Sequence, residues 1–390
     1  MHSNFSPRRR DVLKGAAALS AATLVGFPKA SAAADNVVRL YGVTTAKPED
    51  LNKVKEATGV TVEFSATNAD IGVFMRDVIA NDIGSTQDIL IFDGGTQNLL
   101  GPQGIYAEID ESNPNLTNWR DTPRDWKTSN LVRAGDKLYG VPVTGNADSF
   151  GYIPEAIGAN PNGQDEISWA KLYADDSTKG RCAVERGWMT SIQKVANFLK
   201  HHNLAAIENQ TDLTKEEARA VADFMIERKR AGQFRTLFGS FEEQVQLLVN
   251  KEVDLLDCWQ PAVKEANAKL GPNTVAWAFT EEGYYIWGHG AYIPQKALER
   301  GNVENIYKVL NYFLGGEYRA LQVRDRGYPG PNMQLAVDYA RDKKWPQADV
   351  DMLVESEATT ARKFQKPFSG NPMPEHADVM EEEWQRFLSA

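Results

Sequence analysis

The side chains with most to offer chemically stand where strand-like runs stop. The run Asp88-Ile89-Leu90-Ile91-Phe92 ends on Asp93 and the pair Gly94-Gly95, and the run Val37 to Gly42 leads to Thr44. A carboxylate and a hydroxyl at strand ends suit the capture of a polar solute, although Asp93 can equally cap a helix after Gly95. Further on, Tyr284-Tyr285-Ile286-Trp287-Gly288-His289-Gly290 is a glycine-broken extended run carrying two phenols, an indole and an imidazole. Adjacent strand residues face opposite ways, so Tyr284 and Tyr285 do not converge on one metal ion. His289 can donate to an oxygen when neutral or attract an anion when protonated; a purely structural role is equally open. Glu185 can face a cleft or join a surface salt bridge. Covalent catalysis has little to work with, because no Gly-x-Ser-x-Gly, His-Glu-x-x-His, phosphate loop or dinucleotide fingerprint occurs. His201 and His202 close a helix, where the dipole favours a cation rather than a metal role. No enzyme activity, cofactor or metal is expected.

Alternating strands and helices must position these groups. Val37–Gly42, Val60–Phe64 and Asp88–Asp93 read as strands, separated by helices over Lys47–Thr58 and Ile71–Asn81. That order predicts a parallel sheet with crossover helices, whose ligands sit at the carboxyl ends of strands. After the extended segment Gly140–Gly145 the pattern restarts, with helices over Ser168–Tyr173, Met189–His201 and Phe241–Asn250 and strands near Cys182 and over Glu252–Trp259. Thr214 three residues before Glu217 is a capping box opening a further amphipathic helix. Two α/β units joined by two glycine-marked crossings, near Gly145 and Gly288, predict two lobes with a cleft between them. The expected lobes are residues 36–145 plus 288–332, and residues 146–287 plus 333–390. At 390 residues the chain is long enough for both.

The first 32 residues read as an address. Arg8-Arg9-Arg10-Asp11-Val12-Leu13-Lys14 precedes an uncharged apolar run, Gly15 to Phe27, and Ala30-Ser31-Ala32 supplies a cleavage site. The pattern resembles a twin-arginine export signal, matched at Arg9, Arg10, Leu13 and Lys14. Its loss removes five positive and one negative side chain, so the net charge falls by four, from −10 to −14. So acidic a chain argues against a nucleic-acid partner. The expected product is a soluble periplasmic monomer. In that oxidising compartment Cys182 and Cys258, each in a short apolar run, are either a disulfide or two separate buried thiols.

Three stretches carry a family resemblance. Asp136-Lys137-Leu138-Tyr139-Gly140-Val141-Pro142, Ser168-Trp169-Ala170-Lys171-Leu172-Tyr173, and Lys308–Leu314 followed by Gly327-Tyr328-Pro329-Gly330-Pro331-Asn332 resemble, in order and spacing, the periplasmic solute-binding proteins of ABC transporters, specifically the spermidine/putrescine-binding group. The resemblance implies a two-lobed α/β fold of type II, hinge closure on a small solute, and delivery to a membrane permease. It also implies that Trp259 and Trp287 wall the ligand, with cation–π contact to an ammonium; the alternative for each is an ordinary core tryptophan. His289, Asp93 and Thr44 would orient the polar ends. The chain departs from the family where His289 replaces an acidic residue two positions after the second tryptophan. No carboxylate lies in Arg186–Thr190 either, where the family has an acidic pair. The expectation is a site that has lost most of its preference for a dication and takes a single amine, a zwitterion or an amide. An exported enzyme and a sensor without transport are the competing readings.

Overall fold

The computed structural model describes residues 36–67, 71–160, 165–370 and 373–390. The leader, with its arginine motif and its cleavage site, lies outside them. The chain begins with β1 (Val37–Gly42), α1 (Leu51–Thr58), β2 (Thr61–Ala66), α2 (Ile71–Ile79) and β3 (Ile89–Asp93). Local chemistry sets these limits. The Asp50 carboxylate accepts the Asn52 amide at the start of α1, and Gly59 ends it in the left-handed region at φ 72°, a conformation glycine adopts without the cost a Cβ would bring. The long strand β4 (Gly140–Asp148) is buried along its whole length and leads to β5 (Gly151–Tyr152).

The second α/β series holds β6 (Cys182–Glu185), α3 (Trp188–His201), α4 (Lys215–Arg230), β7 (Phe234–Phe238), α5 (Phe241–Val249), β8 (Leu255–Leu256), α6 (Gln260–Leu270) and β9 (Ala276–Trp277). The Thr214–Glu217 capping box forms as expected at the start of α4. Strand β10 (Tyr284–Tyr292) then returns, followed by α7 (Val303–Phe313), α8 (Met333–Asp342), α9 (Gln347–Lys363), β11 (Pro367–Gly370) and α10 (Ala377–Ser389).

Two sheets result. The first runs β11-β10-β3-β1-β2 with β4 alongside β10, and the second runs β7-β6-β8-β5-β9. Parallel pairing of β1 with β2 and β3, and of β6 with β7 and β8, fits the crossover reading. Each sheet has its own apolar core: Val38, Leu40, Ile91 and Phe92 belong to the first, and Cys182, Val184, Val195 and Leu255 to the second. The last residues depart from the expected division. Strand β11 pairs with β10 in the first sheet, whereas α10 packs on α3 and α4 of the second lobe. Residues 333–390 therefore serve both lobes, because the free edge of β10 offers ladder partners that a returning strand can take.

The crossings converge. Gly145 and Gly288 are paired residues of β4 and β10, and the Gly145 amide donates to the Pro329 carbonyl of the Gly327–Asn332 segment at 3.1 Å. A Cβ on Gly145 would stand 2.7 Å from the Trp287 carbonyl oxygen, and one on Gly288 would stand 2.7 Å from Leu131. Glycine is required at both by close approach.

The two cysteines are free and buried. Leu255 of β8 lies opposite Cys182 in the ladder, so Cys258 is three residues further along. At about 3.3 Å per residue this offset is too great for a disulfide, which decides between the two expectations.

Candidate functional site

A polar hub lies where the crossings meet. Period-two alternation puts Thr144, Asn146 and Asp148 on one face of β4, and all three are buried. Thr144 donates its hydroxyl to the Pro329 carbonyl at 2.7 Å. Asn146 donates its amide to Gln260 Oε1, at the start of α6, at 3.1 Å. Asp148 accepts the Trp287 indole N–H at 2.7 Å.

On the first-lobe side, β3 and β10 pair antiparallel with His289 opposite Asp93. The His289 ring has a neighbour at each nitrogen: Nδ1 lies 2.8 Å from Asp93 Oδ1, and Nε2 lies 2.8 Å from Thr45 Oγ1. The contact falls to Thr45 rather than to Thr44, which is exposed in the short turn Thr44–Ala46. Asp93 does not cap the helix after Gly95 with its side chain. Its backbone carbonyl accepts the Thr96 hydroxyl instead. An acid, an imidazole and a hydroxyl in this order resemble a proton relay. Nδ1, however, has no partner with hydrogen-bond geometry despite the short distance, so the link a relay needs is not made.

The second-lobe side gathers charge. Asp257 follows the end of β8, Glu185 ends β6, and Lys194 projects from α3. Lys194 and Asp257 are 1% and 2% exposed at the side chain, and Nζ lies 2.6 Å from Asp257 Oδ1 and 3.8 Å from Asp148 Oδ2. Lys363, at the end of α9, is fully buried. It reaches Gln260 Oε1 at 3.0 Å and Asn146 Oδ1 at 3.5 Å, with its ammonium 5.1 Å from the Trp277 ring centroid. Gln260 and Trp277 also line a groove of about 380 Å³ along α6.

Burial dominates the protonation of this set. It pushes Asp148 up to about 6 against the attraction of Lys194, and Glu185 up to about 7 against the same lysine. Burial opposes the charge on Lys194, but Asp257, Asp148 and Glu185 overcome it and hold the ammonium above the usual lysine range. Burial also pulls Lys363 down to about 7, with Asp148 opposing. Among the described residues, no three His, Cys, Asp or Glu side chains are grouped to hold a metal ion.

Each tryptophan adjoins a residue of the hub, Trp287 through Asp148 and Trp259 through the following Gln260. Trp287 lies 5.1 Å from the His289 ring and 5.6 Å from Tyr328. Trp259 is half-buried, stacks on Phe241 at 6.3 Å and precedes α6. Its backbone amide donates to Gln244 Oε1 at 3.0 Å. Tyr284 accepts the Thr280 amide at its hydroxyl, 2.9 Å away. His202 and Ser168 meet at Glu282, which the imidazole touches at 2.8 Å through Nε2, the nitrogen that also faces the serine at 3.3 Å. A nucleophilic relay needs the acid on the other ring nitrogen, so this group anchors a turn.

Sequence reasoning missed Asp148, Asp257, Lys194 and Lys363. The available signals were a carboxylate inside the apolar run Leu255–Cys258 and a lysine among Ile192, Val195 and Ala196 on the buried face of α3. Carboxylates do stand nearby outside the Arg186–Thr190 segment, on Asp148 and Asp257, both within 4 Å of Lys194.

No protein-family model matches the chain, and neither does any curated protein sequence. Solved structures do match. The spermidine/putrescine ABC transporter substrate-binding protein PotD of Streptococcus pneumoniae is 12% identical with a TM-score of 0.68, covering 90% of this chain and 98% of its own. The PBP MotA of A. tumefaciens B6, in complex with glucopine, is 18% identical with a TM-score of 0.62, covering 90% and 99%. The Atu4243 GABA receptor is 16% identical with a TM-score of 0.63, covering 90% and 97%. At these identities the likeness establishes the fold, that of the two-lobed periplasmic binding proteins.

Proposed function

We propose that this chain is the solute-capturing component of an ABC importer, taking a small amine or zwitterion between its lobes and passing it to a membrane permease. The observation that carries the reading is the buried hub at the crossings. The Asp148 carboxylate accepts the Trp287 indole N–H, and Lys194 links it to Asp257; an ammonium near an aromatic ring and carboxylates gains both cation–π and charge-assisted contacts. The solutes named for the similar structures, glucopine and GABA as well as polyamines, support a small amine-bearing ligand. Trp259 and Trp287 form the aromatic borders, while His289, held by Asp93 and Thr45, shapes the first-lobe wall. Contacts from both lobes exist together only when the lobes are closed, so ligand favours closure. Export through the twin-arginine route to the periplasm fits the leader. Among the described residues no helix is long and apolar enough to cross a membrane.

A thermal-shift screen of the full chain against amines, amino acids, quaternary ammonium compounds, sugars and small acids tests the reading. A ligand at about 100 times its Kd stabilises by about 2.7 kcal/mol, an observable rise in Tm. The expected hits carry an ammonium; no shift with any class rejects the reading.

A further inference from the structure

We infer that the interlobe hub admits one solute ammonium and no second, and that Lys194 sets this limit by filling one of the hub's cation positions itself. The inference rests on the importer reading and adds the charge class of its ligand. Five ionisable groups gather at the hub. Lys194 lies 2.6 Å from Asp257 and 3.8 Å from Asp148. Lys363 reaches Asn146 on the strand that carries Asp148, and Glu185 ends the neighbouring β6. Three are carboxylates, Asp148, Asp257 and Glu185, and two are amines, Lys194 and Lys363. Fully ionised, they leave one negative charge uncovered.

Unused bonding capacity points the same way. Lys194 takes Asp257 Oδ1, but Asp257 Oδ2 is buried with no hydrogen-bond partner. Ser191, one turn before Lys194 on the same face of α3, is 1% exposed, and its hydroxyl is likewise buried without a partner. Gln244, whose Oε1 holds the Trp259 amide, has a buried Nε2 with no partner. Buried polar groups are ordinarily satisfied, so such a concentration around one charge-deficient cluster marks a place for a polar guest. The guest is cationic because the uncovered charge is negative. An amine suits the place because its N–H groups can donate to the free Asp257 oxygen and the Ser191 hydroxyl.

One ammonium completes the charge balance and supplies donors to the free carboxylate oxygen. A diamine of similar length brings a second charge into a buried region with no carboxylate left for it. Leaving a buried charge uncompensated costs about a hundredfold or more in affinity. Lys194 is thus a specificity-determining residue, a tethered ammonium standing where a second solute ammonium would otherwise go.

Calorimetric titration of the full chain with butylamine, 4-aminobutyrate and 1,4-diaminobutane tests this, the three sharing a four-carbon stem. In the unsubstituted protein, butylamine or 4-aminobutyrate should bind about a hundredfold more tightly than the diamine. Lys194→Met uncovers a second negative charge and should shift preference toward the diamine by at least about tenfold. Lys194→Met combined with Asp257→Asn restores the charge count and should return the preference to the single amines. This double variant also answers the case in which the single one does not fold. Diamine binding as tight as that of the single amines in the unsubstituted protein overturns the inference, as does a preference unchanged in Lys194→Met. Failure of all three probes overturns it too; a Tm rise with another solute class would then leave the importer reading standing, and no rise with any class would remove both.

Discussion

The two walls of the cleft handle buried ionisable groups differently. On the first lobe, His289 bonds Thr45 through Nε2, while Nδ1 lies 2.8 Å from Asp93 Oδ1 without hydrogen-bond geometry. On the second-lobe side, three carboxylates share two lysines, one of which, Lys363, must also satisfy Gln260 and Asn146. The first arrangement sets one imidazole beside one carboxylate and one hydroxyl. The second is left short of one positive charge, and charge shortage in a low-dielectric site is resolved only by a proton or a guest. On the importer reading proposed above, the contrast separates a wall that keeps the shape of the cleft from a wall that selects what enters it.

The largest expected effect breaks the second wall outright. Asp257→Asn leaves Lys194 buried without its closest partner, which should cost about 3–5 kcal/mol in urea denaturation; a loss below about 1 kcal/mol would show that the pair is not ionic. Next comes pH. Glu185 has a folded pKa of about 7, above its ordinary carboxylate value. The folded state therefore binds the proton more tightly, and the associated stability is full below the unfolded pKa and lost as pH rises through about 7. Comparing Glu185→Gln with the unsubstituted chain isolates this group: the variant should gain up to about 3 kcal/mol at pH 8 and little at pH 4. Equal gains at both pH values would remove Glu185 from the coupled set.

Smaller effects sharpen the first wall. Thr45→Val removes one hydrogen bond to His289 and should cost about 1 kcal/mol in stability, with less than about threefold change in amine affinity by calorimetry. A larger affinity loss would make that wall a direct ligand contact. The smallest effect concerns the cysteines. Since Cys182 and Cys258 are separate thiols, a reducing agent should leave Tm unchanged, and a fall of several degrees would reveal a bridge.

Much of the frame was legible because its signals are local. Glycine after α1, the Thr214–Glu217 box and the strand ending at Asp93 each depend on a few neighbouring residues. Trp287 and His289 share one face of β10 by period-two alternation, and their position beside a crossing followed from the glycines around them. The contact of Thr45 with His289 was not legible, because it depends on how the tight turn after β1 directs its side chains.

Sequence alone thus determined the alternation of strands and helices, the glycine-marked crossings, the acidic balance of the chain and the candidate aromatic borders, all properties of short windows or of composition. Only the tertiary structure decided that Asp148, Glu185, Lys194, Asp257 and Lys363 form one coupled set. These residues lie far apart along the chain, and Coulomb coupling depends on distance and burial rather than on sequence spacing. It also decided that Cys182 and Cys258 stay apart, since strand register is set by packing of whole sheet faces.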